Sequence, residues 1–313
     1  MPQSSFATKS LRVTFTLTTG GTFDTPTPGG TAGNVLKLAG LRTLACVRGT
    51  GFPAWPDADL TVYGMRQSDM NALSSLAYNT EQISRNNVLI EADSGNGFSA
   101  IFSGQIVNGY IDYAGAPEVC FRVQARALYL QSLTSNGPLS FPGATSAAGI
   151  INQLAVSAGY SFENNGVNAQ LSSPYYGGSV GDQINQIVKH IGCDMYIEGQ
   201  VLAIAPKGKP RSTPSFTLTP GSGLVSYPLA DARGYIQVRA LFNTAFHFGG
   251  PITIAGSDVV LDPSGKTQLL NARANGNWYV GSIQHNLEAL KFGGAWFSDM
   301  LLQPLGSQPS ATP

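Results

Sequence analysis

Gly177-Gly178-Ser179-Val180-Gly181 matches the G-x-S-x-G spacing of a nucleophile elbow, where a sharp strand-to-helix turn holds a serine hydroxyl ready to attack a carbonyl. Asp258 and His285 follow in the order Ser, Asp, His that hydrolases of this kind use. An elbow needs a buried strand running straight into its serine. The residues before this one, Leu171-Ser-Ser-Pro-Tyr-Tyr, are polar and interrupted by proline. The chain also lacks the alternation of parallel strands and helices that would hold the other two groups. Ser179 reads instead as the N-cap of the helix that begins after it.

The remaining candidates for chemistry are weaker. Asp262-Pro-Ser-Gly265-Lys266-Thr267 ends like a phosphate-binding loop, but Val260 stands where its leading glycine belongs, so the segment reads as a turn. Asp57-Ala-Asp59 lacks the glycine and downstream glutamate of a calcium loop. His190, His247 and His285 have no carboxylate or cysteine at ligand spacing. Cys46, Cys120 and Cys193 are odd in number and far apart, which suits neither a disulfide framework nor a zinc site; they read as small buried hydrophobes in a reducing cytoplasm. Paired acids for glycan cleavage cannot be assigned, because Glu118, Glu163, Glu198 and Glu288 sit in contexts with no evident reason to raise a carboxyl pKa. The expectation is a chain with no catalytic residue, no cofactor and no metal. Two rival readings stay open: a hydrolase of cell-envelope bonds acting through Ser179, and a glycan-recognising surface using Trp55, Tyr175 and Tyr176.

Composition narrows the class. A length of 313 residues sets a soft expectation of two or three domains. Lys plus Arg and Asp plus Glu are 18 each, so no net charge draws the chain to phosphate backbones or anionic membranes. Charged residues are only 12 % of the chain, about half the ~25 % of ordinary domains. A surface so poor in charge can stay soluble by being buried between subunits, as interface cores are, or by a neutral Ser/Thr/Asn/Gln exterior; the first reading is preferred. The amino end has no apolar core of signal-peptide length, and no run approaches the ~20 apolar residues of a membrane span. Synthesis in the cytoplasm without stable membrane insertion is expected.

The elements that would position these residues can be read from periodicity. Leu11, Val13, Phe15 and Leu17 alternate with Arg12, Thr14 and Thr16, and Val119 to Arg126 alternate likewise, which predicts half-buried strands. Strands are also expected over 60–63, 88–92 and 100–107, with a short helix capped by Ser68 and presenting Met70, Leu73 and Ala77. Gly20–Gly33 and Arg48–Asp59 read as long surface loops. Next, Ile151-Asn-Gln-Leu154 recurs thirty-three positions later as Ile184-Asn-Gln-Ile187, with Gly159 matching Gly192 and Gly166 matching Gly199, so a helix-and-hairpin unit is expected twice. Its second copy has the Val180, Ile184, Ile187, Val188, Ile191 stripe, a capping box at Ser179 and Asp182, and a terminating Gly192. Strands resume after Thr213, including 235–242, 252–255 and 258–261. Trp278 to Leu287 and Trp296 to Leu302 flank Lys291-Phe-Gly-Gly as a closing hairpin. The expected fold is mainly β with an α+β insert: a first β-barrel over 1–134, a helix-hairpin insert over 135–212, a second β-barrel over 213–305 and a flexible tail over 306–313.

The order of these segments, above all Trp278-x-Val280 leading to His285-x-Leu287 and then Gly293-Gly294-x-Trp296, resembles the tail hub proteins of bacteriophages, in particular the baseplate hubs of contractile tails of the Mu-like and late-control-D-like kind. Leu60 to Met65, Val88-x-Ile90-x-Ala92, Ile101-Phe-Ser-Gly104, Val201-Leu-Ala-Ile-Ala-Pro206 and Val238-x-Ala-Leu-Phe-Asn243 fall in the same order as their counterparts there. The position after the second tryptophan motif that is often threonine is here Ser298. The resemblance implies two small antiparallel, tail-tube-like barrels per subunit and a homotrimer whose six barrels form a pseudo-sixfold ring. It further implies the tail tube protein, the central spike, other baseplate proteins and the tape measure protein as partners, DNA passing without being recognised, and a place in the virion tail.

Overall fold

Apolar residues at every second position build most of the chain. In the computed structural model the described residues are 9–18, 20–26, 33–51, 53–74, 86–93, 95, 97–226, 228–231, 234–255 and 274–305. The first region holds β1 (Ser10–Thr16), β2 (Val35–Ala39), β3 (Thr43–Thr50), β4 (Asp57–Tyr63), helix α1 (Gln67–Leu73), β5 (Asn87–Asp93), β6 (Phe98–Asp112) and β7 (Cys120–Arg126). An α+β stretch follows: α2 (Tyr129–Leu133), β8 (Leu139–Ser140), β9 (Ala144–Ser146), α3 (Ala147–Ser157), β10 (Ser161–Asn164), β11 (Gln170–Ser172), β12 (Tyr175–Tyr176), α4 (Val180–Ile191), β13 (Cys193–Glu198) and β14 (Val201–Pro206). The last region holds β15 (Phe216–Leu218), β16 (Leu229–Ala230), β17 (Ile236–Leu241), β18 (Pro251–Ile254), β19 (Gly276–Ala289) and β20 (Trp296–Pro304). The chain is mainly β.

Strands on both sides of the α+β stretch lie in one sheet. Among the described residues its order is β16-β17-β20-β19-β3-β4-β7-β6-β5-β1-β2, with β18 also on β19 and β15 on β18. The link is an antiparallel ladder between β3 and β19 that runs from Thr43 opposite Ala289 to Thr50 opposite Ser282. Three apolar cores pack around this sheet. One lies under the first region and takes in Phe242, Leu287 and Trp296 from the last. A second fills the α+β stretch, and a third combines Tyr196, Ala203 and Ala205 of that stretch with the last region.

Several local expectations differ from what is observed. Arg48–Asp59 is not a loop: Arg48 to Thr50 complete β3, and Asp57 to Asp59 begin β4. A polar run is tolerated there because Arg48 forms ion pairs with Asp57 and Asp59 on the wet face, while Ala58 points into the core. Ser68 does not cap α1. The capping position is Arg66, without a side-chain cap, and the buried Asp69 instead accepts the amides of Asp24 and Thr25. Ala77 lies outside the described residues, as do 258–261, 262–267 and 306–313.

The thirty-three-residue repeat is visible at both helix ends. Ser146 caps α3 and Ser179 caps α4, and Gly159 and Gly192 take positive φ of 82° and 64° just past the two helices, a conformation that costs glycine least. The copies diverge after that. α4 is followed by the β13–β14 hairpin as expected, but α3 is followed by β10, which pairs in parallel with β14, while β11 pairs with β9. β14 has β13 on one edge only, and β10 occupies the other, so the two copies share a three-stranded sheet.

Candidate functional site

Alternation along five neighbouring strands sorts side chains to two faces. Ala45 and Val47 on β3, Leu60 and Val62 on β4, Leu287 on β19, Met300 on β20 and Val238 on β17 are buried. Cys46, Arg48, Asp57, Asp59, Gln284, Asn286, Asp299 and Arg239 are at the intervening positions, because successive strand residues point to opposite sides. The second face carries two adjoining depressions of about 670 and 490 Å³, both lined by Arg239 and Asp299. It crosses the β3–β19 ladder, so both β regions contribute to it.

Its charges are matched within the chain. Arg48 on β3 is ion-paired to Asp57 and Asp59 on β4. Arg239 on β17 reaches the Asp299 carboxylate on β20 through Nε at 2.6 Å and Nη2 at 3.1 Å, and Asn286 on β19 donates to the same carboxylate at 3.0 Å. β7 adds one more pair, with Arg122 Nε 2.6 Å from Asp112 on β6. The hydrogen bond that Arg48 donates to Asp59 holds its guanidinium above the ordinary pKa, and the bond Arg239 donates to Asp299 does the same for Arg239. The face is wet, polar and charge-compensated.

Behind it, a buried ionic joint ties the α+β stretch to the last region. Arg211, 4 % exposed, reaches Glu163 on β10 through Nε and Nη2 and Glu198 on β13 through Nη1 at 2.8 Å, and it also donates to the carbonyl of Phe248. Glu198 accepts the Phe248 amide at 3.0 Å and lies 3.0 Å from His247 Nδ1. Burial pushes the Glu198 carboxyl up, but His247, Arg211 and the Phe248 amide outweigh it and hold the group below its ordinary pKa. Arg211 lowers Glu163 in the same way. Sequence reasoning did not single out Arg211, whose partners lie 48 and 13 residues away.

Among the described residues, Ser179 and His285 each hold other partners. Ser179 is 4 % exposed; its hydroxyl donates to Asp182 Oδ2 at 2.7 Å and accepts the Asp182 amide at 3.1 Å. Its backbone, φ −72° and ψ 165°, is extended and unstrained, unlike an elbow. His285 is buried on β19 with Nδ1 2.8 Å from Ser298 Oγ and its ring edge-on to Phe242, and burial depresses its pKa to about 4. Asp258 lies outside the described residues. Of the aromatic trio, only Tyr175 is open to solvent: Tyr176 is buried with its hydroxyl 3.0 Å from His190, and Trp55 packs on the core of the α+β stretch. Glu288 is held below its usual pKa by Lys291. Among the described residues no group of three or more His, Cys, Asp or Glu is placed to hold a metal, and no helix is long and apolar enough to cross a membrane. Cys46, Cys120 and Cys193 are free thiols.

The fold has solved counterparts among tail proteins. A tail protein from Neisseria meningitidis MC58 superposes with a TM-score of 0.57 at 10 % identity, covering 94 % of this chain and 96 % of its own. The 43 kDa tail protein of prophage MuSo2 from Shewanella oneidensis gives 0.54 at 8 % identity, covering 93 % and 96 %. The E. coli c3393 protein, a type VI secretion component described as structurally similar to the T4 tail proteins gp27 and gp5, gives 0.55 at 10 % identity over 87 % of this chain and 77 % of its own. No curated protein sequence is significantly similar to the chain. The family model described as baseplate hub gp41, however, matches residues 11–290, which span the whole charge-compensated face except β20. The match extends over far more than half of the chain, and the protein belongs to the baseplate hub gp41 family.

Proposed function

We propose that this protein is the hub of a phage tail baseplate, acting as three copies in a ring that joins the tail tube to the central spike and forms part of the DNA conduit. Each copy would supply two barrel-like β units, 1–134 and 213–305, with the helix-hairpin insert 135–212 outside them, so that three chains present six similar walls. The observation that carries this reading is the β3–β19 ladder, which makes one wall of the two β regions with a polar face left uncovered. The role is structural, and the hydroxyl of Ser179 serves a helix end.

The test is assembly. Sedimentation of the purified protein, alone and with its spike partner, should give a trimer, and negative-stain micrographs should show a ring with an axial hole. A protein that stays monomeric at high concentration with spike present would overturn the proposal.

A further inference from the structure

The two β regions of the chain share one plan. Neighbouring strands run β3-β4-β7-β6-β5-β1 in the first and β16-β17-β20-β19-β18-β15 in the last. Equivalent residues can be followed across four strands: Ile106, Ala125, Ala58 and Val47 stand opposite one another in turn, as do Val280, Leu302, Ile236 and Ala230. All eight are buried. The long strands match in detail, for β6 is bulged between Ile106 and Asn108 and β19 between Val280 and Ser282. The Ile106 amide meets the carbonyl of Asn86 and the Val280 amide that of Gly250, each one residue before β5 or β18 begins.

Past the bulges the likeness stops. β19 continues alongside β3, from Ser282 opposite Thr50 to Ala289 opposite Thr43. On β6, the edge of Tyr110 to Asp112 that faces away from β7 pairs with no described strand. The counterpart of β3 is β16, which has β17 on one side and no described strand on the other. Both edges hold large apolar side chains in the open, Tyr110 being 45 % and Leu229 38 % exposed. Such an edge is a template for another strand.

We propose, resting on the three-copy reading above, that β16 of one copy pairs with the carboxyl half of β6 of the next, repeating between chains the ladder that β3 and β19 form within one. Within the chain, Gln284 is opposite Arg48, His285 opposite Val47 and Asn286 opposite Cys46. Between chains, Tyr110 then stands opposite Asp231 of the next copy, Ile111 opposite Ala230 and Asp112 opposite Leu229. Ala230 is buried and Ile111 packs against the first core, so this pair falls on the inner face. Tyr110 and Leu229 become diagonal neighbours on the outer face and cover one another. Each copy offers one edge of each kind, so the contact is head-to-tail, the type that closes a ring.

The experiment uses the full chain, sedimented over a concentration series alone and with its spike partner. Tyr110→Asp sets a carboxylate opposite Asp231 of the next copy, and like charges so placed should weaken the trimer at least about tenfold. Tyr110→Lys sets an ammonium there and should stay within about threefold of wild type. Tyr175→Asp, on the exposed edge of the insert, should stay within about twofold. Melting curves establish that each variant is folded. Under mild oxidation Tyr110→Cys/Asp231→Cys should yield a covalent trimer, and neither single variant should, since directly opposed strand residues are within disulfide reach. A folded Tyr110→Asp protein with no loss, an equal loss from Tyr110→Lys, or a trimeric double-cysteine protein that stays uncross-linked would each overturn the seam. If wild type is trimeric but these results fail, the seam falls and the three-copy reading stands; if wild type never trimerises, both fall.

Discussion

Arg211 and Glu163 meet as a fork, with Nη2 2.8 Å from Oε2 and Nε 3.2 Å from Oε1, across the seam between the α+β stretch and the last β region. Because Glu198 takes the third nitrogen, two carboxylates depend on one buried cation. Arg211→Ala would leave them facing one another and should cost about 3–5 kcal/mol, the penalty for orphaning buried charge. Arg211→Lys should recover only part of that, because an ammonium cannot bridge a fork and a second partner at once. Urea unfolding of the three proteins measures both.

Acid should weaken the fold in two stages. His285 has its pKa depressed to about 4 by burial, so the unfolded chain binds a proton that the folded chain refuses. Its contribution is present above the unfolded value near 6.5 and is lost as pH falls towards 4, to a total of about 3 kcal/mol. Glu163 and Glu198 are also depressed, so their contribution is present above the ordinary carboxylate range and is lost as pH falls below it. His285→Asn should flatten the dependence of the melting temperature between pH 6.5 and 4 and leave the steeper loss at lower pH. An unchanged slope in that variant would refute the assignment.

The capping role of Ser179 separates it from a nucleophile. Ser179→Ala should cost about 1 kcal/mol through the lost cap, and Ser146→Ala should cost a similar amount at the equivalent helix. A fluorophosphonate probe should leave Ser179 unlabelled in the folded protein; labelling that disappears in Ser179→Ala would restore the hydrolase reading.

Phe292 is fully exposed at the tip of the β19–β20 hairpin, beside the half-exposed Leu290. The tip is held by Lys291 on Glu288, by the Ala295 amide on Glu288 and by Gly293 at φ 65°. Phe292→Ser removes no intrachain packing, so the melting temperature of the isolated subunit should move by less than about 0.5 kcal/mol in equivalent stability. If the tip is covered in the assembled ring, the same variant should weaken trimerisation. Sedimentation across a concentration series compares the two.

What could be read along the chain was what depends on near neighbours. α4 was legible because its stripe, Ser179–Asp182 box and Gly192 terminator all lie within fourteen residues, and the same local rules placed the β19–β20 hairpin. His285 was correctly set on an alternating strand, but its hydroxyl partner Ser298 became visible only when the hairpin closed. The ends of the Arg48–Asp59 stretch are not legible locally, because its glycines and prolines hide any alternation, and only the ladder between β3 and β4 places Arg48, Asp57 and Asp59 on strand outer faces.

By itself the sequence determined the mainly β class, the capped and glycine-terminated helix α4 and the closing β19–β20 hairpin, since periodicity, capping chemistry and turn geometry act over a few residues. Only the tertiary structure decided that β3 pairs with β19, that Arg211 is shared by Glu163 and Glu198, and that the arginines of one face are matched by aspartates. Those pairings join residues from nine positions apart, as Arg48 and Asp57 are, to the distant β3 and β19, and their selection rests on which edges and charges remain unsatisfied once the local elements have formed.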